Sequence, residues 1–284
     1  MAPVADAARS AQTIDDLRRL LRVRAPVHAQ VPLQPVDRSL PGDEIAPGLH
    51  LVEQHLPWEA LPPTLALSFD ARVAQADTED LMFFDTETTG LAGGTGTRAF
   101  MIGIAQWKGR AFWLRQWFIT RLQAERALLD AFCGALDARS VLVSYNGRSY
   151  DAPLLRTRLR LARMHDPLPD CAHVDLLHPT RRRYRGRWEN CRLATIERRV
   201  LGVVREDDLP GSQAPAAWLR YLRGGCARGL NQVVEHNHQD LVSLAGLLLH
   251  LCATTGDAVC GLDAGAGCAP DNGLDVAPRI DPYA

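Results

Sequence analysis

Four acidic side chains and one histidine in this 284-residue chain stand where they could act together. Asp85 and Glu87, in the run Asp85-Thr86-Glu87, close the apolar stretch LMFFD that begins at Leu81. A run that is apolar without alternation marks a strand buried on both faces. Residues i and i+2 of a strand point to the same side, about 6–7 Å apart, so the two carboxylates converge. At that separation they repel unless a cation lies between them. A solvated strand end would also explain an Asp-x-Glu pair. Asp151 follows the short run VLVSY (141–145) and opens a helical stretch, where an aspartate can equally serve the helix N-terminus. Asp240 lies four residues after His236 in EHNHQDLVSL, a spacing that sets imidazole and carboxylate on one helix face, a turn apart. His238, two residues before Asp240, falls on the other side of an ideal helix and reads as a surface or supporting residue.

The elements that must position these groups follow from periodicity. LMFFD, AFMIGIAQW (99–107) and AFWLRQWFI (111–119) read as three strands, the last two joined by the turn Lys108-Gly109-Arg110. A helix over about 123–136, a strand over 141–145, a helix over about 152–163 and a strand near 173–177 follow. A helix over 193–201 and a long one over about 230–252 complete the plan. The spacing predicts an α/β fold: a mixed five-stranded sheet, three meander strands then two helix-connected strands, flanked by helices. Residues 1–80 read as a partly ordered, irregular N-terminal extension, with a helix over 14–23, prolines from Pro26 to Pro63 and a short strand at 50–53. The main domain is expected over 81–253, and the Gly-, Ala-, Asp- and Pro-rich residues 254–284 are expected to be disordered.

In order and context, DTETTGL, YNGRSYDAPLL and HNHQD resemble the three exonuclease motifs of the DEDD (DnaQ-like) superfamily, whose fold is ribonuclease H-like. FFDTETTGLAGGTGTRAFMIGI, HVDLLHPTRR and NCRLATIERRVLGV more closely resemble the bacterial YprB-type ribonuclease H-like domain, over roughly residues 80–252. The resemblance implies hydrolysis of phosphodiester bonds with two divalent cations, Mg2+ or Mn2+. It implies Asp85 as the bridging ligand, Glu87 and Asp240 completing one site, Asp151 acting directly or through water, and His236 as general base. The superfamily's histidine subclass carries histidine five residues before the last aspartate and its tyrosine subclass a tyrosine four before; His236 stands at the tyrosine spacing. General chemistry is consistent with these roles. Hard cations choose oxygen ligands, and a pair of them roughly 4 Å apart can activate water and neutralise the leaving oxygen. An imidazole titrates near neutrality and suits proton abstraction. The implied activity is a 3′→5′ exonuclease acting on DNA or RNA; a nucleic-acid-binding module with weak or no catalysis, or a structure-selective endonuclease, fits the same motifs.

Charge is distributed unevenly. The chain has 32 basic and 33 acidic residues, and 31 of the basic ones are arginine, Lys108 being the exception. Residues 141–200 hold thirteen arginines against six acids, a surplus of +7 that leaves −8 elsewhere. The densest part interleaves Arg181, Arg182, Arg183, Arg185 and Arg187 with Tyr184 and Trp188. Arginine forks on phosphates with an aromatic stacked on a base would use that pattern, and a solvated loop would show it too. Thr86, Thr88, Asn146 and Tyr150 flank the acidic motifs and join these residues as candidate nucleic-acid contacts, although Asn146-Gly147 is also ordinary turn chemistry. Asp175 reads as a structural strand end, and Trp113 and Trp117 as core residues under a helix rather than a stacking platform. The glycine-rich loop 90–97 lacks the GK[ST] of a Walker A motif. Seven cysteines without a CxxC pair argue against a zinc site and a disulfide framework. The acidic N-terminus does not read as a signal peptide, and the longest apolar stretch, 241–253, is short of the ~18–20 residues a bilayer needs. A soluble cytoplasmic protein with no membrane partner is expected.

Overall fold

A computed structural model describes residues 36–90 and 96–260, and every element named below belongs to the part of the chain that begins at Asp37. Two antiparallel strands open it, β1 (Asp43–Ala46) and β2 (Leu49–Pro57), followed by a separate two-stranded ribbon, β3 (Thr64–Ala66) and β4 (Gln75–Asp77). The apolar runs then form β5 (Leu81–Thr88), β6 (Ala99–Lys108) and β7 (Ala111–Ile119). After them come α1 (Glu125–Ala135), β8 (Val141–Ser144), α2 (Asp151–Leu161) and β9 (Ala172–Asp175). The chain continues through α3 (Leu177–Tyr184), α4 (Leu193–Ile196, prolonged by a π-helical turn over Glu197–Leu201), α5 (Ala214–Leu222) and α6 (Arg228–Cys260).

The main sheet has the order β1-β2-β7-β6-β5-β8-β9. β5–β8 and β8–β9 are parallel, as a helical crossover between them requires, and the other pairs are antiparallel. A mixed sheet flanked by helices is thus present as expected, with the five expected strands in the expected order. Two further strands extend it. β2 runs for nine residues where a strand of about four is expected, and pairs along its whole length with β7, from Leu49↔Ile119 to Pro57↔Ala111. Its solvent-facing residues Glu53, Gln54 and His55 interrupt the hydrophobic pattern that would betray it. α3 and α5 are also additions; the arginine-rich stretch, for which a solvated loop is one of two readings, is helical up to Tyr184. α6 reaches eight residues past its expected end. The helix expected over 14–23, most of the loop 90–97 and the tail beyond Cys260 lie outside the described residues.

Side chains on the two faces of the sheet form two apolar clusters. In one, Phe84, Phe100 and Phe118 pack with Leu128, Phe132 and Trp218. In the other, Phe83, Trp107 and Leu114 pack with Leu244 and Leu248. Phe83 and Phe84 are adjacent on β5 and enter opposite clusters, as the pleat demands. α6 serves both: Leu230, Val233 and Val234 belong to the first cluster, and Leu241, Leu244 and Leu247 to the second. Between these stretches the helix passes directly over β6 at Gly103. A Cβ there would lie 2.1 Å from Asn237 Oδ1 and 2.8 Å from Leu241 Cδ1, so only glycine admits the helix at this depth. No helix among the described residues is long and apolar enough to cross a membrane.

Gly103→Ala is therefore expected to force α6 outward and to destabilise the protein by about 1–3 kcal/mol or more, read as a lower urea midpoint. An unchanged midpoint would show that the helix is not seated on the strand.

Candidate active site

Three strands and one helix build the centre of the site. Gln116 on β7, Gly103 on β6 and Asp85 on β5 stand side by side in register across the sheet. Asn237 of α6 lies over the glycine and joins the other two. Gln116 Nε2 donates to Asn237 Oδ1 at 2.9 Å and to the Val234 carbonyl at 2.7 Å, while Asn237 Nδ2 donates to Asp85 Oδ2 at 2.9 Å. Gln116 and Asn237 are wholly buried, where a missing partner costs about 1–3 kcal/mol, so this relay fixes both the helix and the first carboxylate.

The other acids arrive from different elements. Glu87 follows Asp85 on β5 and is buried at 7% exposure. Asp151 is the first residue of α2 and is held by a short hydrogen bond from Thr86 Oγ1. Gly147 lets the preceding turn fold close, since a Cβ there would lie 2.5 Å from Ser144 Oγ and 3.2 Å from Asp151 Oδ2. That turn is fastened by Asp175, which accepts from the backbone N–H of Asn146, Arg148 and Leu177 at 2.7, 3.2 and 3.0 Å. Asn146 itself takes the left-handed conformation, φ 68°. Asp175 is accordingly a structural residue, and Asn146 enters the site through its backbone. Asp240 is one turn beyond Asn237 on α6, and His236 Nε2 is 3.7 Å from its Oδ2.

The electrostatics record the crowding. Burial first, and then the charges of Asp240, Asp151 and Glu87, push the Asp85 carboxyl well above the usual carboxylate range, against the Asn237 amide. Glu87 is raised likewise by burial and by Asp240, Asp151 and Asp208, with Arg205 opposing. Burial pushes Asp151 up to about 6, against the hydrogen bond from Thr86. Among the described residues, no group of three or more His, Cys, Asp or Glu side chains stands in a geometry ready to hold a metal ion. The donor set is nevertheless the one a hard cation selects, and the charge of Asp240 adds to the raised proton affinity of Asp85, Glu87 and Asp151.

Arg205 and Asp208, from the loop between α4 and α5, complete the site, and sequence reasoning missed both. Arg205 Nη2 makes a short bond to Asp240 Oδ1. Its Nε and Nη2 grip Glu197 at 2.9 and 2.5 Å. Burial disfavours the guanidinium charge, but the hydrogen bonds and charges of Glu197 and Asp240 outweigh it and raise the Arg205 pKa. Asp208 Oδ1 lies 2.8 Å from His236 Nδ1, and Arg205 Nη1 lies 3.0 Å from the same nitrogen. Arginine only donates and a carboxylate only accepts, so Nδ1 can satisfy one of the two at a time. The only sequence signal was the acidic run Glu206-Asp207-Asp208 beside an arginine, which fits any solvated loop.

The remaining candidates disperse. Tyr150 is 63% exposed beside Asp151 and offers an open aromatic face. Thr86 spends its hydroxyl proton on Asp151, and Thr88 donates to the Gly90 carbonyl at 2.9 Å. Arg181, Arg182, Arg183, Arg185 and Arg187 are exposed, and Arg181, Arg182 and Arg185 line one cleft with His178. Arg182 also donates to the Phe69 carbonyl. Tyr184 corrects the expectation of a base-stacking ring: it is buried, stacks on Trp188 at 4.8 Å and shares a 2.6 Å hydrogen bond with His250. Trp117 is buried in the core, and Trp113 stacks on His55 of β2 at 4.0 Å.

The model for the RNase H superfamily matches residues 82–252, and the chain belongs to that superfamily. It is 37% identical over 173 residues to the uncharacterized protein YprB of Bacillus subtilis (strain 168), an alignment covering 61% of this chain and 42% of that one. The chain thus spans less than half of that relative's length. Among solved structures it is similar to the family B DNA polymerase from Pyrobaculum calidifontis, at 17% identity and TM-score 0.49 over 60% of this chain and 24% of the polymerase. It is also similar to the Aedes aegypti Nibbler EXO domain, at 16% identity and TM-score 0.43 over 62% of this chain and 81% of that domain. The ribonuclease H-like and YprB-type resemblance carried by the motifs is borne out.

The acids predict an inverted pH dependence. Carboxyls that hold their protons more tightly in the folded chain favour folding at low pH and progressively lose that advantage as pH rises from about 4 through their raised pKa values. In chelator, Asp85→Asn should stabilise the protein at pH 7.5 by about 1–3 kcal/mol and do little at pH 4, as measured by urea denaturation. A destabilised variant at pH 7.5 would contradict the crowding.

Proposed function

We propose that this chain is a divalent-metal-dependent nuclease that removes nucleotides from the 3′ end of DNA or RNA. One observation carries the reading: Asp85 and Glu87 of β5 and Asp151 of α2 are held above the usual carboxylate range by burial and by neighbouring carboxylates, Asp240 of α6 among them. A site of that kind has no use beside a phosphate chain unless cations join the two.

Asp85, Glu87, Asp151 and Asp240 would hold two Mg2+ or Mn2+ ions, which when bound supply an activated water and charge neutralisation of the leaving oxygen. The chain's other residues prepare those ligands. Asn237 turns Asp85 and keeps one of its oxygens occupied, and Thr86 does the same for Asp151. With its proton on Nδ1 and donated to Asp208, His236 presents the Nε2 lone pair towards Asp240 and can take the proton of an attacking water. Tyr150 offers a stacking face for a terminal base, which suits any of the four bases because each has a π-face. The exposed arginines of α3 and the residues just after it supply phosphate contacts to the strand. The 3′→5′ direction rests on the likeness of the three motifs to exonuclease motifs.

With end-labelled DNA and RNA, Mg2+ or Mn2+ should support shortening from the 3′ end, and a blocked 3′ terminus should stop it. Asp85→Ala should lower the rate on the order of 10³-fold or more, and His236→Ala about 10²–10⁴-fold with metal binding retained. Cleavage unaffected by Asp85→Ala would exclude this site; binding without cleavage of any substrate would favour a binding module. Converting Arg181 and Arg185 to Ser should weaken binding and reduce the slope of log affinity against log salt by roughly 0.7–0.9 for each phosphate that is no longer neutralised.

A further inference from the structure

The site contains a cation of its own. Arg205 is anchored by Glu197, which is 1% exposed and sits on the π-helical turn that follows α4. The turn ends at Gly202, whose positive φ of 69° directs the chain into the loop that carries Arg205 back over the acids. Glu197 grips Nε and Nη2, and Nη2 reaches on to Asp240 Oδ1. Nη1 lies 3.5 Å from Asp208 Oδ2, a second acceptor within a small movement of the guanidinium.

We propose that Arg205 is a tethered counter-cation that competes with a divalent ion for Asp240, so that the fourth carboxylate becomes a ligand only when the guanidinium moves off it. The inference rests on the metal-dependent reading above and assigns a regulating contact inside that site. A carboxylate oxygen that accepts a charge-assisted hydrogen bond directs its lone pair at nitrogen, and a divalent ion on the same oxygen would stand beside a guanidinium of like charge. The two occupants exclude each other. Glu197 keeps Arg205 close without Asp240, since its two hydrogen bonds persist when the third partner is given up, and Asp208 can take the freed edge. The side chain therefore need not be expelled to water for the site to load.

The test is metal binding without nucleic acid. Mn2+ titration followed by the electron paramagnetic resonance of the free ion should show Arg205→Gln binding about tenfold more tightly or better than wild type at the site that needs Asp240. The gain should vanish in Arg205→Gln/Asp240→Asn. Because Arg205→Gln leaves a buried Glu197 without its partner, Arg205→Gln/Glu197→Gln serves as the folded alternative and should show the same gain. In wild-type protein, the guanidinium ¹H–¹⁵N resonance of Arg205 should shift on adding Mg2+, and in Asp240→Asn it should not. Equal or weaker Mn2+ binding in both Arg205 variants, or an unmoved resonance while Mg2+ binds, overturns the proposal and leaves the metal-dependent reading intact. Wild type and variants that all fail to bind Mn2+ overturn that reading and this proposal together.

Discussion

The passage of α6 over β6 at Gly103 is the contact on which the rest of the site depends. Without a side chain on that residue, Asn237 drops between Gln116 and Asp85, and one amide fixes a helix, a strand and a carboxylate at once. Asp240 is three residues further along the same helix, so its position is set by the same seat. The long hydrophobic stretches on either side of Asn237 explain why α6 stays there. Each belongs to a different face of the core, and the helix cannot slide or roll without disturbing both. The apolar packing supplies the stability; the polar crossing supplies the register.

Against that rigid frame the charges pull apart. Four carboxylates share a space from which water is largely excluded, and the guanidinium of Arg205 answers only part of their charge, being divided between Asp240 and Glu197. His236 stands on the same boundary, with a donor and an acceptor both within reach of Nδ1. Which partner it takes decides whether Nε2 offers a lone pair or a proton, so the loop carrying Arg205 and Asp208 sets the histidine's tautomer as well as the hydrogen bonding of Asp240.

The sequence disclosed this arrangement unequally. Asp85, Glu87, Asp151, His236 and Asp240 were legible because strand and helix periodicities fix where such residues point, and because the apolar runs around them are long. The meander β5–β7 and the crossover strands β8 and β9 were legible for the same reason. β1 and β2 were obscured by proline and by the polar residues of a sheet edge. α3 was hidden because HPTRRRY carries a proline and few apolar residues to reveal a helical face. Arg205 and Asp208 could not be read at all: both lie in a loop, where no periodicity ties a residue to a direction, and their partners on α4 and α6 are neighbours only after folding. Asn237 was one amide in a polar run, and only the missing Cβ of a glycine some 130 residues earlier gives it meaning.

The order of these parts along the chain has a consequence for synthesis. A nascent polypeptide that has emerged as far as α2 already displays Asp85, Glu87 and Asp151, yet it lacks Asn237 to orient the first of them and Asp240 to complete the set. α6 carries both, between the two apolar stretches that pack in the two clusters of the core. Until α6 joins them the earlier acids are separate carboxylates on an unfinished surface, without the amide and the fourth acid that meet them in the folded chain.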